Sequence, residues 1–366
     1  MSGIRALRPM SMSGKPDFIA IVGAPRCGTT SLAGFLQDHP EVCFSRVKEP
    51  HFFSRRDLRD DASDSLRQTL DEEYLGAFFP HRRDGAVLAE GSVSYLYAPE
   101  QMAPILRRWP DARFVIAVRD PMEMIPSLHQ RLLYTGDETV ADLERAWALI
   151  PERRRGRAIP RSCIDPRLLQ YQEVGRLGAY VEAFFQAVGR ERCFVAVFDD
   201  LAADPADLYA RLLEFLGLAP QPRSDFAPRR VSRSYRLGWL QRLLKRPPAA
   251  VRGALAGDSY RLLTQAQSGP AALRNLFAVR KQLLRWNQAP PPQRALPPAL
   301  RAEIREALSG DVAHLSAVIG RDLGHWLAAA PAARRAEPAL AGRLARDTRP
   351  RAATAATVAP QAQGWR

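Results

Sequence analysis

Short apolar runs alternate with longer segments of helical spacing along the first two-thirds of the chain. The runs lie at 17–22, 113–118 and 193–198, with weaker ones at 42–45 and 87–89. The segments with apolar residues at three- and four-residue steps are 30–38, 167–188 and 205–217. Near-continuous apolar runs are typical of strands that are buried on both faces of a parallel sheet. The pattern predicts a three-layer α/β/α fold with a mainly parallel central sheet.

Length and composition favour one large domain. The chain has 366 residues, of which 46% are hydrophobic, so it can bury a substantial core and is not wholly disordered. We expect this domain to span residues 17–327. Residues 1–16 are expected to form a flexible N-terminus. Residues 328–366 are rich in Ala, Arg and Pro and are expected to form a disordered tail.

The net charge of +14 is concentrated in the last third of the chain. Residues 1–222 hold 28 basic and 31 acidic side chains, whereas residues 223–366 hold 25 basic and 8 acidic ones. Such a distribution predicts an anionic partner: a phosphorylated cofactor, a nucleic acid or an acidic membrane surface. No zinc-finger, RNP or other nucleic-acid motif is present. We therefore expect no nucleic-acid partner.

The pattern of cysteines and the lengths of the apolar runs bear on the cellular compartment of the protein. Four cysteines are scattered singly without a C-x-x-C pair, which argues against a disulfide framework and a metal site. No signal-peptide pattern opens the chain, and no window approaches the roughly 20 apolar residues of a membrane span. The sequence predicts a soluble, cytoplasmic protein that needs no metal.

A glycine-rich loop follows the first predicted strand and leads into a helix. It reads G-A-P-R-C-G-T-T-S-L over 23–32. Glycines that turn the backbone, a helix N-terminus and hydroxyl side chains together form an anion-binding cradle. The spacing G-x-x-x-x-G is that of nucleoside-triphosphate loops, but Thr29 stands where that motif requires lysine, and the cation of the loop is Arg26. A nucleotide kinase or P-loop hydrolase is therefore disfavoured, and it stays as an alternative.

Four motifs carry a resemblance to a known family. P-R-C-G-T-T-S-L resembles the 5′-phosphosulfate loop of sulfotransferases that use 3′-phosphoadenosine 5′-phosphosulfate (PAPS). Arg119-Asp-Pro after a strand, with Ser127 on the next helix, resembles their 3′-phosphate site. K-E-P-H-F-F at 48–53 is similar to a motif of the heparan-sulfate and glycan type, and Glu90-Gly-Ser92 with Tyr95 matches a further one. The resemblance covers roughly residues 17–326.

The resemblance implies a P-loop-like sulfotransferase fold and an in-line transfer of a sulfuryl group from PAPS. The acceptor would be a hydroxyl or amine of a glycan, a lipid or a small natural product, and no metal is required. The implied catalytic residues are Glu49 as general base, with Arg26, Lys48 and His51, the last as an alternative base. The implied cofactor-binding residues are Arg26, Cys27, Gly28, Thr29, Thr30, Ser31, Arg119, Ser127, Arg229 and Arg230.

Two departures leave the acceptor open. Arg26 replaces the lysine that many members carry in the loop, and Gly91 stands where some glycan-sulfating members have a lysine.

The basic segment 235–286 has amphipathic spacing, which favours packing on the core over peripheral membrane contact. A non-enzymatic anion- or membrane-binding protein is the remaining alternative. The arginine cluster at 153–157 is expected to be a solvated loop.

Overall fold

A computed structural model of the chain describes residues 14–227, 234–245, 271–290 and 296–328. The chain divides into one unit of residues 1–327 and another of residues 328–366, and each is taken by itself. Apart from Ala328, the second unit lies outside the described residues. The expected flexible start and the expected disordered tail therefore fall almost wholly outside them as well.

The centre of the first unit is a five-stranded sheet in which all neighbours pair in parallel. The strands are β1 Phe18–Gly23, β2 Val42–Phe44, β3 Val87–Gly91, β4 Arg113–Val118 and β5 Cys193–Val197, in the spatial order β2-β3-β1-β4-β5. Every residue of β1 and β4 is buried, as expected for strands covered on both faces. The predicted parallel α/β fold is confirmed.

Helices flank this sheet. The α-helices are α1 Thr29–Gln37, α2 Phe52–Arg55, α3 Ser63–Thr69, α4 Gly76–Phe78, α5 Ala103–Arg108, α6 Pro121–Thr135, α7 Leu143–Ala148, α8 Ile150–Arg154, α9 Tyr171–Val174, α10 Leu177–Val188, α11 Phe198–Ala203, α12 Pro205–Leu216, α13 Gly238–Lys245, α14 Ala271–Trp286 and α15 Pro298–Ile319. One π-helical turn spans Leu70–Leu75 and leads directly into α4. Short 3₁₀ turns lie at Tyr95–Tyr97, Pro99–Met102, Pro166–Leu169, Arg190–Arg192 and Gly324–Trp326. A two-stranded antiparallel pair, β6 Ser234–Tyr235 with β7 Gln288–Ala289, joins the segments that carry α13 and α14.

The segment predicted as one helix over 167–188 is broken in the structure. It forms a 3₁₀ turn, then α9, then α10, with the break at Gly175. A Cβ on Gly175 would lie 2.8 Å from Leu308 Cδ1 of α15. The break thus lies where α15 packs against α9, at a contact with residues far away in the sequence.

Arg153 corrects the expectation of a solvated arginine cluster. Its side chain and that of Glu138 are fully buried and form an ion pair of 2.7 Å. Tyr171 donates a hydrogen bond to the same carboxylate at 2.9 Å. The partner lies 15 residues upstream, so the local run of arginines gave no sign of this burial.

The helices α13 and α14 are held to the body by buried amides. Asn287 is completely buried, accepts a hydrogen bond from the Leu237 amide and donates to Leu237 O and Gln241 Oε1. Gln241 in turn donates to Tyr134 O of α6 at 2.7 Å. Among the described residues, no helix combines the length and the apolar character needed to cross a bilayer.

Candidate active site

The loop between β1 and α1 is shaped by Gly28. This residue lies at the N-terminus of α1 with φ +88°, a conformation that favours glycine. A Cβ there would also lie 2.5 Å from Leu201 Cδ2 of α11. The first N–H groups of a helix have no intrahelical acceptor, and they carry the positive end of its dipole. The loop therefore presents a cradle for an anion at the C-terminal end of the central strand.

Two arginines meet at this loop. Arg26 Nε donates a hydrogen bond of 2.9 Å to Ser127 Oγ on α6. Arg119, directly after β4, donates from Nη1 to the backbone oxygen of Arg26 at 3.2 Å. The structure thus brings together the two segments that the sequence predicted for phosphate binding, although they are 93 residues apart.

Arg119 is held on two further sides. It forms an ion pair with Glu123, four residues on, at 2.7 Å. Its guanidinium carbon lies 4.0 Å from the centroid of the Phe198 ring. A carboxylate and an aromatic face together fix the plane of the guanidinium, so the side chain is oriented before any ligand arrives.

Glu49 lies between a lysine and a histidine. Lys48 Nζ is 2.7 Å from Glu49 Oε1, and His51 Nε2 is 3.8 Å from Glu49 Oε2. Burial acts to raise the pKa of Glu49, but the charge and hydrogen bond of Lys48 outweigh it and hold that pKa below its usual value. Burial lowers the pKa of His51. At neutral pH the arrangement therefore holds an ionised carboxylate beside a neutral imidazole.

His51 is positioned by serine hydroxyls. Its Nδ1 lies 2.7 Å from Ser94 Oγ, and its backbone N–H donates to Ser92 Oγ at 3.0 Å. His51 begins α2 with φ 54°. These contacts orient the imidazole ring, so its Nε2 is the nitrogen that lies towards Glu49.

Glu90 supports this turn from inside the core. It is completely buried at the end of β3 and accepts hydrogen bonds from Tyr74, Tyr95 and Ser92 at 2.7–2.9 Å. Burial raises its pKa to about 7, although the three donors oppose that shift. Ser92 also accepts a hydrogen bond from the backbone N–H of His51, so the buried Glu90 and Ser92 together hold the segment of Glu49 and His51 from the core side.

A cleft of about 920 Å³ joins these groups. Its walls include Arg26, Gly28, Thr29, Thr30, Ser31 and Arg119 at the loop, together with Glu49 and His51. Lys48 and Ser127 stand behind the wall and contact Glu49 and Arg26. Cys27 is 1% exposed, and burial raises its pKa to about 12, so its thiol faces the core. Arg229 and Arg230 lie outside the described residues.

The sequence did not indicate several residues that line the far part of the cleft. Arg131 lies on α6 one turn after Ser127, and its charge also lowers the pKa of Glu49. Asp165 and Arg167 form an ion pair of 2.9 Å in the segment before α9. Arg131 could have been found from its four-residue spacing to Ser127, whereas no local pattern marks the Asp165–Arg167 pair.

The described parts of the chain hold no cluster of three or more His, Cys, Asp or Glu residues that could bind a metal ion.

The fold and the site define a class. A phosphate-binding loop after the central strand of a parallel sheet, with an arginine at the end of the neighbouring strand, is the arrangement of a P-loop-type nucleotide-binding α/β protein. Residues 16–222, more than half of the chain, match the model of the Sulfotransferase family, and the chain belongs to that family. The resemblance drawn from the four motifs is confirmed at the level of the family.

Curated relatives and a solved structure agree with this assignment. Carbohydrate sulfotransferase 15 of Mus musculus is 23% identical over 248 residues, covering 55% of this chain and 43% of that protein. Heparan sulfate glucosamine 3-O-sulfotransferase 6 of Homo sapiens is 26% identical over 210 residues, covering 54% and 51%. The chain thus spans about half the length of these relatives. The crystal structure of a sulfotransferase from Alicyclobacillus acidocaldarius matches with a TM-score of 0.56 and 25% identity, covering 86% of this chain and 99% of that one.

Proposed function

We propose that this protein transfers a sulfuryl group from PAPS to an acceptor hydroxyl. The observation that carries the proposal is that an anion-binding loop, two arginines and an ionised carboxylate line one cleft. The loop and arginines suit a donor with phosphate groups at two positions. The carboxylate suits an acceptor that must lose a proton.

The residues present suit the donor. The amides of the loop and Arg26 would hold the 5′-phosphosulfate, and Arg119 with Ser127 would hold the 3′-phosphate, as the family resemblance implies. Gly28 gives the loop its turn, because its φ of +88° is a conformation that favours glycine. Thr29 in the place of a lysine disfavours nucleoside triphosphates, which need that cation at their outer phosphates.

Glu49 is the general base in this proposal. As the bond from sulfur to the acceptor oxygen forms and the bond from sulfur to the bridging oxygen of the donor breaks, the acceptor proton passes to the Glu49 carboxylate. Positioning and charge stabilisation supply most of the rate acceleration in such loose transfers. Arg26, oriented by Ser127, would neutralise charge on the leaving phosphate.

For the acceptor we propose a hydroxyl of an uncharged glycan. The relatives named above are sulfotransferases of carbohydrate and of heparan sulfate glucosamine. In the described part of the far wall, however, Arg167 is paired with Asp165, and Glu173 is paired with Arg176 at 3.4 Å. A wall whose charges are matched in this way favours neutral sugar hydroxyls over a polyanion.

The test of the donor is calorimetry with 3′,5′-adenosine bisphosphate and with ATP. We expect the bisphosphate to bind more tightly than ATP, and Arg119→Ala to weaken it by about tenfold or more, because a charge-assisted contact is lost. Arg67→Ala is the matched control, since Arg67 is exposed on α3, away from the cleft. A preference for ATP would contradict the proposed donor.

The test of the acceptor is a transfer assay with radiolabelled PAPS. We expect label to enter neutral oligosaccharides in preference to heparin fragments. If heparin fragments were preferred while the bisphosphate still bound tightly, the uncharged acceptor would be wrong and the donor assignment would stand.

A further inference from the structure

The helices α13 and α14 expose a concentration of large apolar side chains. Seven such side chains are exposed among the described residues, and six of them belong to these helices or the residue before them. We call these six the tryptophan face: Leu237, Trp239, Leu243, Val279, Leu283 and Trp286. Trp239 is 60% exposed and Trp286 is 55% exposed. Scattered exposed residues need no explanation, but a concentration of this kind marks a surface that meets a partner.

The exposure is not a failure of these helices to pack. Val279, Leu283 and Trp286 follow the spacing i, i+4, i+7, and thus form one stripe along α14. A different stripe of the same helix faces inward, where Leu284 and Asn287 are buried. The segment of α14 therefore contacts α13, which in turn contacts α6, and the apolar stripe is additional to these contacts.

The two helices form one rigid support for this face. Arg280 of α14 donates a hydrogen bond of 2.8 Å to Leu244 O of α13. The buried Asn287 bonds to both Leu237 and Gln241. Apolar side chains on a fixed backbone can enter an apolar phase without a prior folding step, so the ordering cost of binding is low.

The charge around the tryptophan face is almost entirely positive. Residues 226–302 contain 15 basic residues and one acidic residue, Asp258. Neither α13 nor α14 contains an acidic residue. Lys281 and Arg285 are exposed on α14, and Arg285 lines the same shallow groove as Leu283 and Trp286. Arg285 and Trp286 are thus presented together.

We propose that α13 and α14 dock the protein on an anionic membrane surface, with the tryptophan face among the lipid headgroups and Arg285 near the lipid phosphates. Lys281, on the side of α14 opposite the apolar stripe, adds electrostatic attraction at longer range. Tryptophan favours the membrane interface because its ring is apolar and its N–H is polar. Basic side chains are attracted by the negative potential of anionic lipids. A second copy of this chain would bring the same positive charge against itself, and protein interfaces are depleted in lysine.

The docking surface is connected to the cleft through α6. Gln241 donates to Tyr134 O, and Lys245 Nζ lies 5.1 Å from the centroid of the Tyr134 ring. Leu132 and Thr135, on either side of Tyr134 along α6, line the cleft. A docked protein would therefore hold its cleft at a fixed distance from the lipid. The proposal rests on α13 and α14 alone and does not depend on the reaction proposed above.

The test is co-sedimentation of the full chain with unilamellar vesicles. One set is made of phosphatidylcholine alone, and the other also contains phosphatidylglycerol. We expect binding to the anionic vesicles that weakens at high salt, because screening reduces the electrostatic attraction. Trp239→Ser with Trp286→Ser should weaken that binding by about tenfold or more. Lys281→Glu with Arg285→Glu should remove the preference for phosphatidylglycerol.

The control is a charge reversal of the same size elsewhere. Arg67→Glu with Arg154→Glu changes two exposed arginines on α3 and α8 and should leave vesicle binding unchanged. Thermal melting checks that each variant is folded. Failure of the unaltered protein to bind anionic vesicles would overturn the proposal. So would a gel-filtration dimer that the tryptophan substitutions dissociate, because the face would then belong to a second copy.

Discussion

At the scale of single residues, Glu49 is governed by two opposing effects. Burial disfavours its charge, whereas Lys48 at 2.7 Å stabilises it, and the stabilisation is the larger effect. Glu49 is therefore ionised at neutral pH, which is the state in which a carboxylate can accept a proton. The pair Lys48–Glu49 thus has a clear role in the proposed reaction.

We expect Glu49→Gln to lower kcat by about a hundredfold, since general-base catalysis contributes roughly 10²–10⁴. The affinity for 3′,5′-adenosine bisphosphate should hardly change, because Glu49 lies away from the loop that would hold it. Steady-state kinetics and calorimetry measure the two quantities. Glu306→Gln, at an exposed position on α15, is the control. Full activity in the Glu49 variant would remove its role as base and direct attention to His51.

We expect Lys48→Met to move the acid limb of the pH–rate profile to higher pH. A general base must be deprotonated, so activity is lost as pH falls through the pKa of Glu49. That pKa is held below its usual value chiefly by Lys48, against burial, which raises it. Without the lysine, burial remains, and the limb should shift upward by about one pH unit or more. An unshifted limb in kcat/KM would mean that a different group titrates.

At the scale of elements, the end of β3 couples the core to the site. Glu90 is buried, and its carboxylate accepts hydrogen bonds from three hydroxyl groups. One of these, the hydroxyl of Ser92, also accepts a hydrogen bond from the backbone N–H of His51. Burial raises the pKa of Glu90 to about 7, above its value of about 4.3 in an unfolded chain. The folded protein therefore binds this proton more tightly than the unfolded one.

We expect Glu90 to make the free energy of unfolding depend on pH. Its contribution is fully present below about pH 4.3 and is lost as pH rises to about 7, by up to roughly 4 kcal/mol. Glu90→Gln is neutral throughout and can still accept from both tyrosines. Thermal or urea unfolding should therefore show a smaller loss of stability between about pH 5 and pH 8 in this variant. An equal loss in both proteins would contradict the raised pKa.

Most strands of the sheet were predictable from the sequence, whereas the break between α9 and α10 and the burial of Arg153 were not. The strands could be found because burial on both faces demands continuous apolar runs, which are local in the sequence. The end of α9 could not, because it lies at a contact with Leu308 of α15, which is far away in the sequence. The burial of Arg153 likewise depends on Glu138, which belongs to a different element. Long-range packing decided each case.

The same contrast separates the parts of the site. Arg26, Arg119 and Ser127 could be located because each belongs to a compact motif at the end of a strand or the start of a helix. Cys27 belongs to the same motif, but its side chain is buried in the core and does not line the cleft. Asp165 and Arg167 line the far wall from a segment without regular periodicity. Short motifs therefore predicted the residues of the loop side of the cleft. The residues of the far wall could be found only from the folded structure.

At the scale of the whole molecule, α15 makes a close backbone contact with α10 at a glycine. Gly178 is the second residue of α10, and its N–H donates to Asp311 Oδ2 of α15 at 2.8 Å. A Cβ on Gly178 would lie 2.5 Å from the backbone oxygen of Asp311. Backbone cannot rotate away as a side chain can, so the close approach of the two helices requires glycine.

We expect Gly178→Ala to lower the free energy of unfolding by about 1–3 kcal/mol, the usual cost of overpacking. Gly310→Ala is a matched control within α15, because nothing lies within 4 Å of the added Cβ. That change should stabilise the protein by up to about 1 kcal/mol, since alanine favours helix over glycine. Denaturant unfolding compares them. Equal effects would show that the α10–α15 contact is not as close as described.

The location of the protein stays a prediction at this scale. The cysteine pattern predicts a cytoplasmic protein, and vesicle binding would show that the protein can also meet a membrane surface. Both the donor cleft and the tryptophan face lie in the unit of residues 1–327.

One helix, α6, sets the spacing of three groups that line the cleft. Glu123, Ser127 and Arg131 recur every fourth residue of α6, so they share one side of it, and Glu123 to Arg131 spans about 12 Å. The first is paired with Arg119, the second holds Arg26, and the third acts on Glu49. Insertion of a single residue in α6 would rotate the later contacts by about 100° and break them together. The three contacts therefore constrain α6 to keep its length, whereas the segment before α9 takes part in none of them.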